Sequence, residues 1–266
     1  MIHPTPYPDV NHLLQVLFER QQAIIGEHIV ALYLEGSLAS GDFDQDSDID
    51  FVLVTDDEIT PDRFSALQAM HDQVAALDTI WAIQLEGSYL SRVAIRRYDP
   101  ALTLYPNIER GQGERLKLVD HTQTWDIHRS ILRERGIVLV GPPPRSLIDP
   151  ITPGHLYQAM QVILAKWAAH LLAHPEQMSS RGYQSYVVLS LCRILYTLDR
   201  SAVTSKPKAA AWAKETLEQR WRPLIERAWE GRHNPGLAAD PADLNATLEM
   251  IRYTIDRARQ FQDPVR

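Results

Sequence analysis

Two aspartates in the first quarter of the chain have a spacing that suits metal chemistry. Asp48 and Asp50 flank Ile49 and open an apolar run that continues to Val54. If this run is a strand, side chains two residues apart project from the same face, so the two carboxylates lie together. The two carboxylates repel each other unless a cation lies between them. Mg²⁺ binds carboxylates of this kind together with substrate phosphates.

A phosphate-binding turn is predicted just upstream of the aspartates. The apolar run 30–34 predicts a strand, and Gly36 and Ser37 follow it. A glycine lets the backbone approach a phosphate closely, and Ser37 offers both a hydroxyl and an N–H to it. An Asp-X-Asp sequence is also common at strand starts, where its side chains bind the local backbone, so the aspartates by themselves leave both interpretations open.

A third acid, Glu86, lies in the β-rich stretch 79–90, whose second half alternates between apolar and polar residues. A third strand beside the first two would bring Glu86 near the aspartates. An exposed glutamate on an edge strand is the alternative, and the alternation alone favours that alternative.

The composition narrows the possible partners. The 266 residues include 27 Lys and Arg against 34 Asp and Glu, a formal net charge of −7. An acidic chain with no basic block is poorly suited to grip nucleic acid through its phosphates, so we expect no nucleic-acid partner. Cys192 is the single cysteine, which excludes an internal disulfide and a cysteine-based zinc site. With no apolar run of about 18 residues and no signal peptide, we expect no membrane partner and a cytoplasmic location.

The periodicity predicts an α+β chain with two domains. Residues 1–150 read as a mixed-sheet domain, and residues 151–266 as an all-α helical bundle with segments near 155–172, 183–198, 207–221, 223–230 and 241–261. The boundary lies in the proline-rich stretch 141–153. In 91–124, glycines and prolines interrupt any period, which predicts an insertion made of loops. Its arginines either line the site with positive charge or form a solvated surface.

The motifs resemble those of a known family. Gly36-Ser37, followed after about ten residues by Ser47-Asp48-Ile49-Asp50, resembles the signature of the nucleotidyltransferase superfamily named after DNA polymerase beta. The segments 131–150, 191–198 and 205–213 resemble the junction and the helical domain of the aminoglycoside 3''-adenylyltransferases. The resemblance runs over about residues 28–260, is weakest in 91–124, and implies a nucleotidyltransferase domain, a helical domain and a cleft between them.

The resemblance also implies roles for individual residues. Asp48 and Asp50 would hold Mg²⁺, with two ions expected, and Glu86 would be the third acid and the base that deprotonates the acceptor hydroxyl. ATP would be the co-substrate. The implied nucleotide-binding residues are Gly36, Ser37, Ser47, Arg193, Lys206 and Tyr253.

One position departs from the family pattern. The family has an acidic residue about ten positions before the arginine of this helix, where it contacts the cationic antibiotic, and this chain has Tyr183 there, close to Arg181. Glu176 or Asp199 could compensate for the missing acid. The predicted activity is Mg²⁺-dependent transfer of AMP from ATP to a hydroxyl of a small molecule, with streptomycin and spectinomycin as examples. AMP transfer to a protein and a nucleotide-binding module without turnover are the alternatives.

Overall fold

The computed structural model describes residues 4–102 and 104–261. The chain divides into two compact units, Met1–Pro150 and Ile151–Arg266. The first unit is a mixed sheet with helices, and the second is helical, so the predicted α+β class is confirmed.

The first unit is built on a six-stranded sheet in the order β5-β4-β3-β2-β1-β6. Strands β2 and β3 run parallel, whereas the other neighbouring pairs are antiparallel. The strands are β1 (Ile29–Leu34), β2 (Ile49–Thr55), β3 (Leu85–Ser91), β4 (Leu104–Ile108), β5 (Lys117–Asp120) and β6 (Ile137–Val140).

Both faces of this sheet are covered. The helices are α1 (Pro8–Ile25), α2 (Gly36–Ser40), α3 (Pro61–Ala75), α4 (Arg92–Arg96) and α5 (Asp126–Arg135). Because side chains alternate along a strand, Leu32 and Leu34 pack with α1 and α3 in one core. Tyr33 packs on the opposite face, in a second core with residues of α4 and α5.

The structure corrects two local predictions. The stretch 91–124 is more than loops, because it holds α4, β4 and β5, and these strands extend the sheet beyond β3. The first half of 79–90 forms a 3₁₀ turn, Ile80–Ile83, so β3 begins only at Leu85. At the other end of the sheet, β6 is an edge strand and leaves Val138 36% exposed.

The second unit is organised around its longest helix. The helices are α6 (Pro153–Ile163), a π-helical turn (Leu164–Ala168), α7 (Ala169–Ala173), α8 (Arg181–Arg200), α9 (Lys206–Thr216), α10 (Arg222–Gly231) and α11 (Pro241–Ala258). Helix α8 packs against α6, α9, α10 and α11. Cys192 on α8 is fully buried, and this burial raises the pKa of its thiol to about 12, so it is an inert core residue. Within the described ranges, no helix has both the length and the apolar character needed to span a bilayer.

Candidate active site

Three carboxylates converge at the start of the two parallel strands. The register pairs Asp50 of β2 with Glu86 of β3, and Asp48 lies directly before β2. One carboxylate oxygen from each residue lies within 4.8 Å of those of the other two. The exposed edge-strand alternative for Glu86 is wrong, because β3 is flanked by β2 and β4 and the Glu86 carboxyl is partly buried.

Gly36 allows the backbone to pass directly against Asp50. Its φ of +61° lies in the left-handed region, and a Cβ placed there would lie 2.6 Å from Asp50 Cγ. The predicted turn is the start of α2, and Glu35 anchors this start because its N–H donates to the Asp50 carbonyl oxygen at 3.0 Å. Next in the chain, the Ser37 hydroxyl is buried and finds no hydrogen-bond partner among the described residues. A buried hydroxyl of this kind is a suitable donor to a bound ligand.

The electrostatics of the cluster set the protonation of Glu86. Burial raises the pKa of Glu86 to about 7, and the negative charge of Asp48 adds to this increase. The interactions of Glu86 with His128 and Arg110 lower its pKa and so act in the opposite direction. The Arg110 Nη1 lies 3.5 Å from Asp48 Oδ2. Of the arginines in 91–124, this one therefore approaches the acidic cluster, as one of the two sequence interpretations expects.

Glu35 and His128 belong to this region although the sequence analysis did not select them. The Glu35 side chain is 8% exposed, and its Oε1 lies 3.0 Å from Nδ1 of His128. The other oxygen, Oε2, is buried without a hydrogen-bond partner in the part of the chain that the structure describes. The His128 ring also packs on Trp125, with the ring centroids 5.0 Å apart. The position of Glu35 beside Gly36 was an available signal, whereas His128 is 93 residues away in the chain and only the fold reveals it.

The Ser47 hydroxyl already has local partners. Its Oγ donates to Asp44 Oδ1 at 2.8 Å and accepts from the Asp44 N–H at 3.0 Å. These bonds hold the turn that leads into Asp48, so Ser47 positions the first aspartate. Its contact with a nucleotide stays a prediction.

In the second unit, two of the predicted nucleotide-binding residues lie on neighbouring helices. Arg193 of α8 donates through Nε to the Thr204 carbonyl at 3.2 Å, two residues before Lys206. The Lys206 ammonium lies 5.8 Å from the ring centroid of Tyr186. Tyr186 precedes Arg193 by two helical turns, so both side chains lie on the same face of α8.

Tyr183 extends the face of α8 that carries Tyr186, and the two rings form an aromatic face. Its ring stacks on Tyr186 with centroids 5.9 Å apart, and Tyr186 meets Trp167 edge to face at 6.1 Å. Tyr186 is 45% exposed, so the face is accessible in this unit.

Tyr253 lies on α11, among other partners. Its ring is 5.2 Å from that of Trp221, and the Arg220 guanidinium lies 5.9 Å from its centroid. Neither neighbour is a predicted nucleotide ligand, and the phosphate contact of Tyr253 stays a prediction.

Comparison with known proteins identifies a domain in each half of the chain. Residues 14–99 match the nucleotidyltransferase domain, and residues 146–257 match the C-terminal domain of aminoglycoside adenylyltransferases. The chain is therefore a nucleotidyltransferase. Carrying both domains, this nucleotidyltransferase is an enzyme of the adenylyltransferase type.

The nucleotidyltransferase resembles named antibiotic-modifying relatives. It is 27% identical over 242 residues to the aminoglycoside (3'') (9) adenylyltransferase of Escherichia coli. This alignment covers 86% of this chain and 88% of the relative. It is 24% identical over 216 residues to the spectinomycin 9-adenylyltransferase of Staphylococcus aureus, covering 78% and 79% of the two chains.

A solved structure shares the fold. The spectinomycin adenylyltransferase of Enterococcus faecialis, crystallised with ATP and spectinomycin, superimposes with a TM-score of 0.71. The match covers 94% of this chain and 99% of the other at 14% sequence identity.

Proposed function

We propose that this nucleotidyltransferase uses Mg²⁺ to transfer AMP from ATP to a hydroxyl of an aminoglycoside-type antibiotic such as streptomycin or spectinomycin, and so confers resistance in the cytoplasm. One observation carries the proposal. Asp48, Asp50 and Glu86 converge beside Gly36 and Ser37, in a chain whose second unit matches the aminoglycoside adenylyltransferase C-terminal domain.

The acidic cluster fits a divalent cation. Each of the three residues offers a carboxylate oxygen within 4.8 Å of the others, and oxygen ligands of this kind suit Mg²⁺. The Ser37 hydroxyl, which is buried and has no partner among the described residues, would meet a phosphate at the same place. In this proposal Asp48 and Asp50 hold the metal with Glu86. Mg²⁺, when bound, supplies positive charge that neutralises the triphosphate and polarises the reacting phosphate.

Glu86 is suited to accept the proton of the acceptor hydroxyl. Its carboxylate lies in the acidic cluster beside the phosphate-binding residues, and a carboxylate within hydrogen-bond reach of the acceptor hydroxyl can act as a general base. In the proposed step the hydroxyl proton passes to the Glu86 carboxylate and the hydroxyl oxygen bonds to the α-phosphorus. The bond between the α- and β-phosphates breaks, and pyrophosphate leaves with its electron pair.

The two units have separate parts in this proposal. Residues 1–150 supply the carboxylates and the Gly36-Ser37 turn, and residues 151–266 supply Arg193 and Lys206 for the triphosphate. Tyr183 offers an aromatic face to the acceptor where relatives have an acid. Sugar-like rings and ammonium groups both bind aromatic faces, which supports an antibiotic acceptor without an ion pair at this position.

The test is pyrophosphate release from ATP and Mg²⁺ with a panel of acceptors that includes streptomycin and spectinomycin. The matched blank is Asp50→Asn, which keeps the size of the side chain while removing its charge. We expect release with at least one antibiotic and a loss of about 10³-fold in the variant, the size of effect seen when one electrostatic group is removed from an active site. Full activity in Asp50→Asn would contradict the assignment of the acidic cluster, and silence across the panel would contradict the acceptor class.

A further inference from the structure

A positively charged cavity lies in the first unit, away from the acidic cluster. It has a volume of about 330 Å³, and four arginines line it, namely Arg92, Arg96, Arg133 and Arg145. Arg92 directly follows β3, whereas Glu86 is near the start of that strand. Six residues of extended chain span about 20 Å, so the two sites are separate.

Backbone carbonyls hold part of this arginine cluster in place. Arg133 donates through Nη1 to the carbonyls of Arg145 and Ile148, at 3.0 and 2.6 Å. Arg145 in turn donates through Nε to the Arg133 carbonyl at 3.1 Å, and through Nη2 to Glu134 at 2.6 Å. These bonds tie α5 to the segment that leads to Pro150, and they orient two guanidinium groups before any ligand binds. Preorganised donors lower the cost of binding.

The cavity carries an excess of positive charge. Its four arginines face one lining carboxylate, Asp149, and Glu134 pairs with Arg145 at the rim, which leaves a formal excess of two positive charges in a chain of net charge −7. Asp149 is already engaged, since Arg96 Nε lies 3.0 Å and Arg97 Nε 3.7 Å from its oxygens. Arg92 is exposed and forms no hydrogen bond or ion pair with the residues that the structure describes. Its five N–H donors are therefore available to a ligand.

We propose that this cavity binds a small phosphate polyanion, a diphosphate or a triphosphate. The planar guanidinium fork matches two phosphate oxygens at once, which makes arginine the preferred partner for this ligand class. The excess of two positive charges matches a ligand with several negative charges better than it matches a monoanion. Free pyrophosphate or triphosphate and the phosphate tail of a nucleotide share this chemistry. The proposal does not depend on the function proposed above.

Calorimetric titration with inorganic triphosphate tests the proposal on the full chain in EDTA, where no metal ion can recruit the anion to the acidic cluster. We expect binding to weaken about tenfold in Arg92→Gln, the effect of one lost charge-assisted hydrogen bond, and further in Arg92→Gln/Arg96→Gln. Arg252→Gln is the matched control, because Arg252 is exposed on α11 and the variant has the same charge change. Equal affinity in Arg92→Gln and Arg252→Gln would overturn the proposal.

Hydrogen exchange locates the ligand independently of affinity. The amides of Ser146, Leu147 and Ile148 bond within the turn that lines the cavity. We expect triphosphate to slow their exchange, whereas protection restricted to the amides around Glu86 would overturn the proposal. Titrations with pyrophosphate and ATP then identify the source. Equal affinity for ATP and triphosphate indicates recognition of phosphates alone, tighter ATP binding indicates a nucleotide, and binding equalled by sulfate at matched ionic strength overturns the polyanion assignment.

Discussion

At the residue scale, Gly36 links the phosphate turn to the predicted metal ligand. Its positive φ favours glycine, and the Asp50 carboxylate fills the space that a side chain would need. The need for a positive φ and the need for space beside Asp50 can be tested separately. Gly41 also has a positive φ, of +76°, but has nothing within 4 Å of an added Cβ.

Gly36→Ala is therefore predicted to displace Asp50 and to abolish turnover, whereas Gly41→Ala is predicted to keep it. Both variants should lose stability through backbone strain, by about 1 kcal/mol each. Steady-state rates with melting temperatures distinguish the effects. Similar rates in the two alanine variants would show that contact with Asp50 is unimportant.

Tyr183 is predicted to limit the affinity for a polycationic acceptor. In Tyr183→Asp the restored carboxylate offers an ion pair, so we expect KM for streptomycin to fall about tenfold, the effect of one favourable charge pair of roughly 1.4 kcal/mol. Tyr183→Phe is the control, because it keeps the ring and adds no charge. An unchanged KM in Tyr183→Asp would mean that Tyr183 does not face the acceptor's charges.

At the scale of elements, a buried arginine joins α5 to α4. Arg129 has no exposed side-chain surface, and it donates to the carbonyls of Ile95 and Ala94 at 2.9 and 2.7 Å. It also donates to Asp126 at 2.9 Å and meets His121 Nε2 at 2.6 Å. Since a guanidinium has no acceptor, His121 Nε2 must accept and the ring is neutral, consistent with a pKa lowered to about 4, chiefly by burial and then by the charge of Arg129.

Arg129→Met is predicted to destabilise the first unit by about 3–5 kcal/mol, because it leaves Asp126 and two carbonyls buried without their donor. Arg135→Met is the matched control on the same helix, since Arg135 is exposed, and it should change stability by less than about 0.5 kcal/mol. Urea unfolding followed by circular dichroism compares the two. Equal stability would show that the buried network contributes nothing.

At the scale of the whole molecule, the stability of the first unit should depend on pH through His71. This ring is 5% exposed, and its Nε2 lies 2.7 Å from the Tyr89 hydroxyl. Burial lowers the pKa of His71 to about 4, below the 6.5 of an unfolded chain. Between these values the unfolded chain binds a proton that the folded chain does not. The contribution of His71 is therefore complete above about pH 6.5 and is lost as the pH falls towards 4.

Between pH 7 and pH 5 this linkage should cost about 2 kcal/mol. Hydrogen exchange of the β2 amides, corrected for intrinsic rates, measures the opening free energy of the first unit. His71→Gln should lose this share of the pH dependence, whereas His12→Gln, which changes an exposed ring, should keep it. The same slope in both variants would rule out His71 as the source.

The sequence alone predicted the α+β class, the helices of the second half and the pair Asp48 and Asp50, whereas the family resemblance added Glu86 as the third acid. The aspartate pair depends on a local pattern, because side chains two residues apart share a face of a strand, and Glu86 joins it because β3 lies beside β2. Only the tertiary structure placed β4 and β5 beyond β3, paired Glu35 with His128, and gathered four arginines around one cavity. These contacts join residues far apart in the chain, and no local periodicity specifies which distant segments pack together.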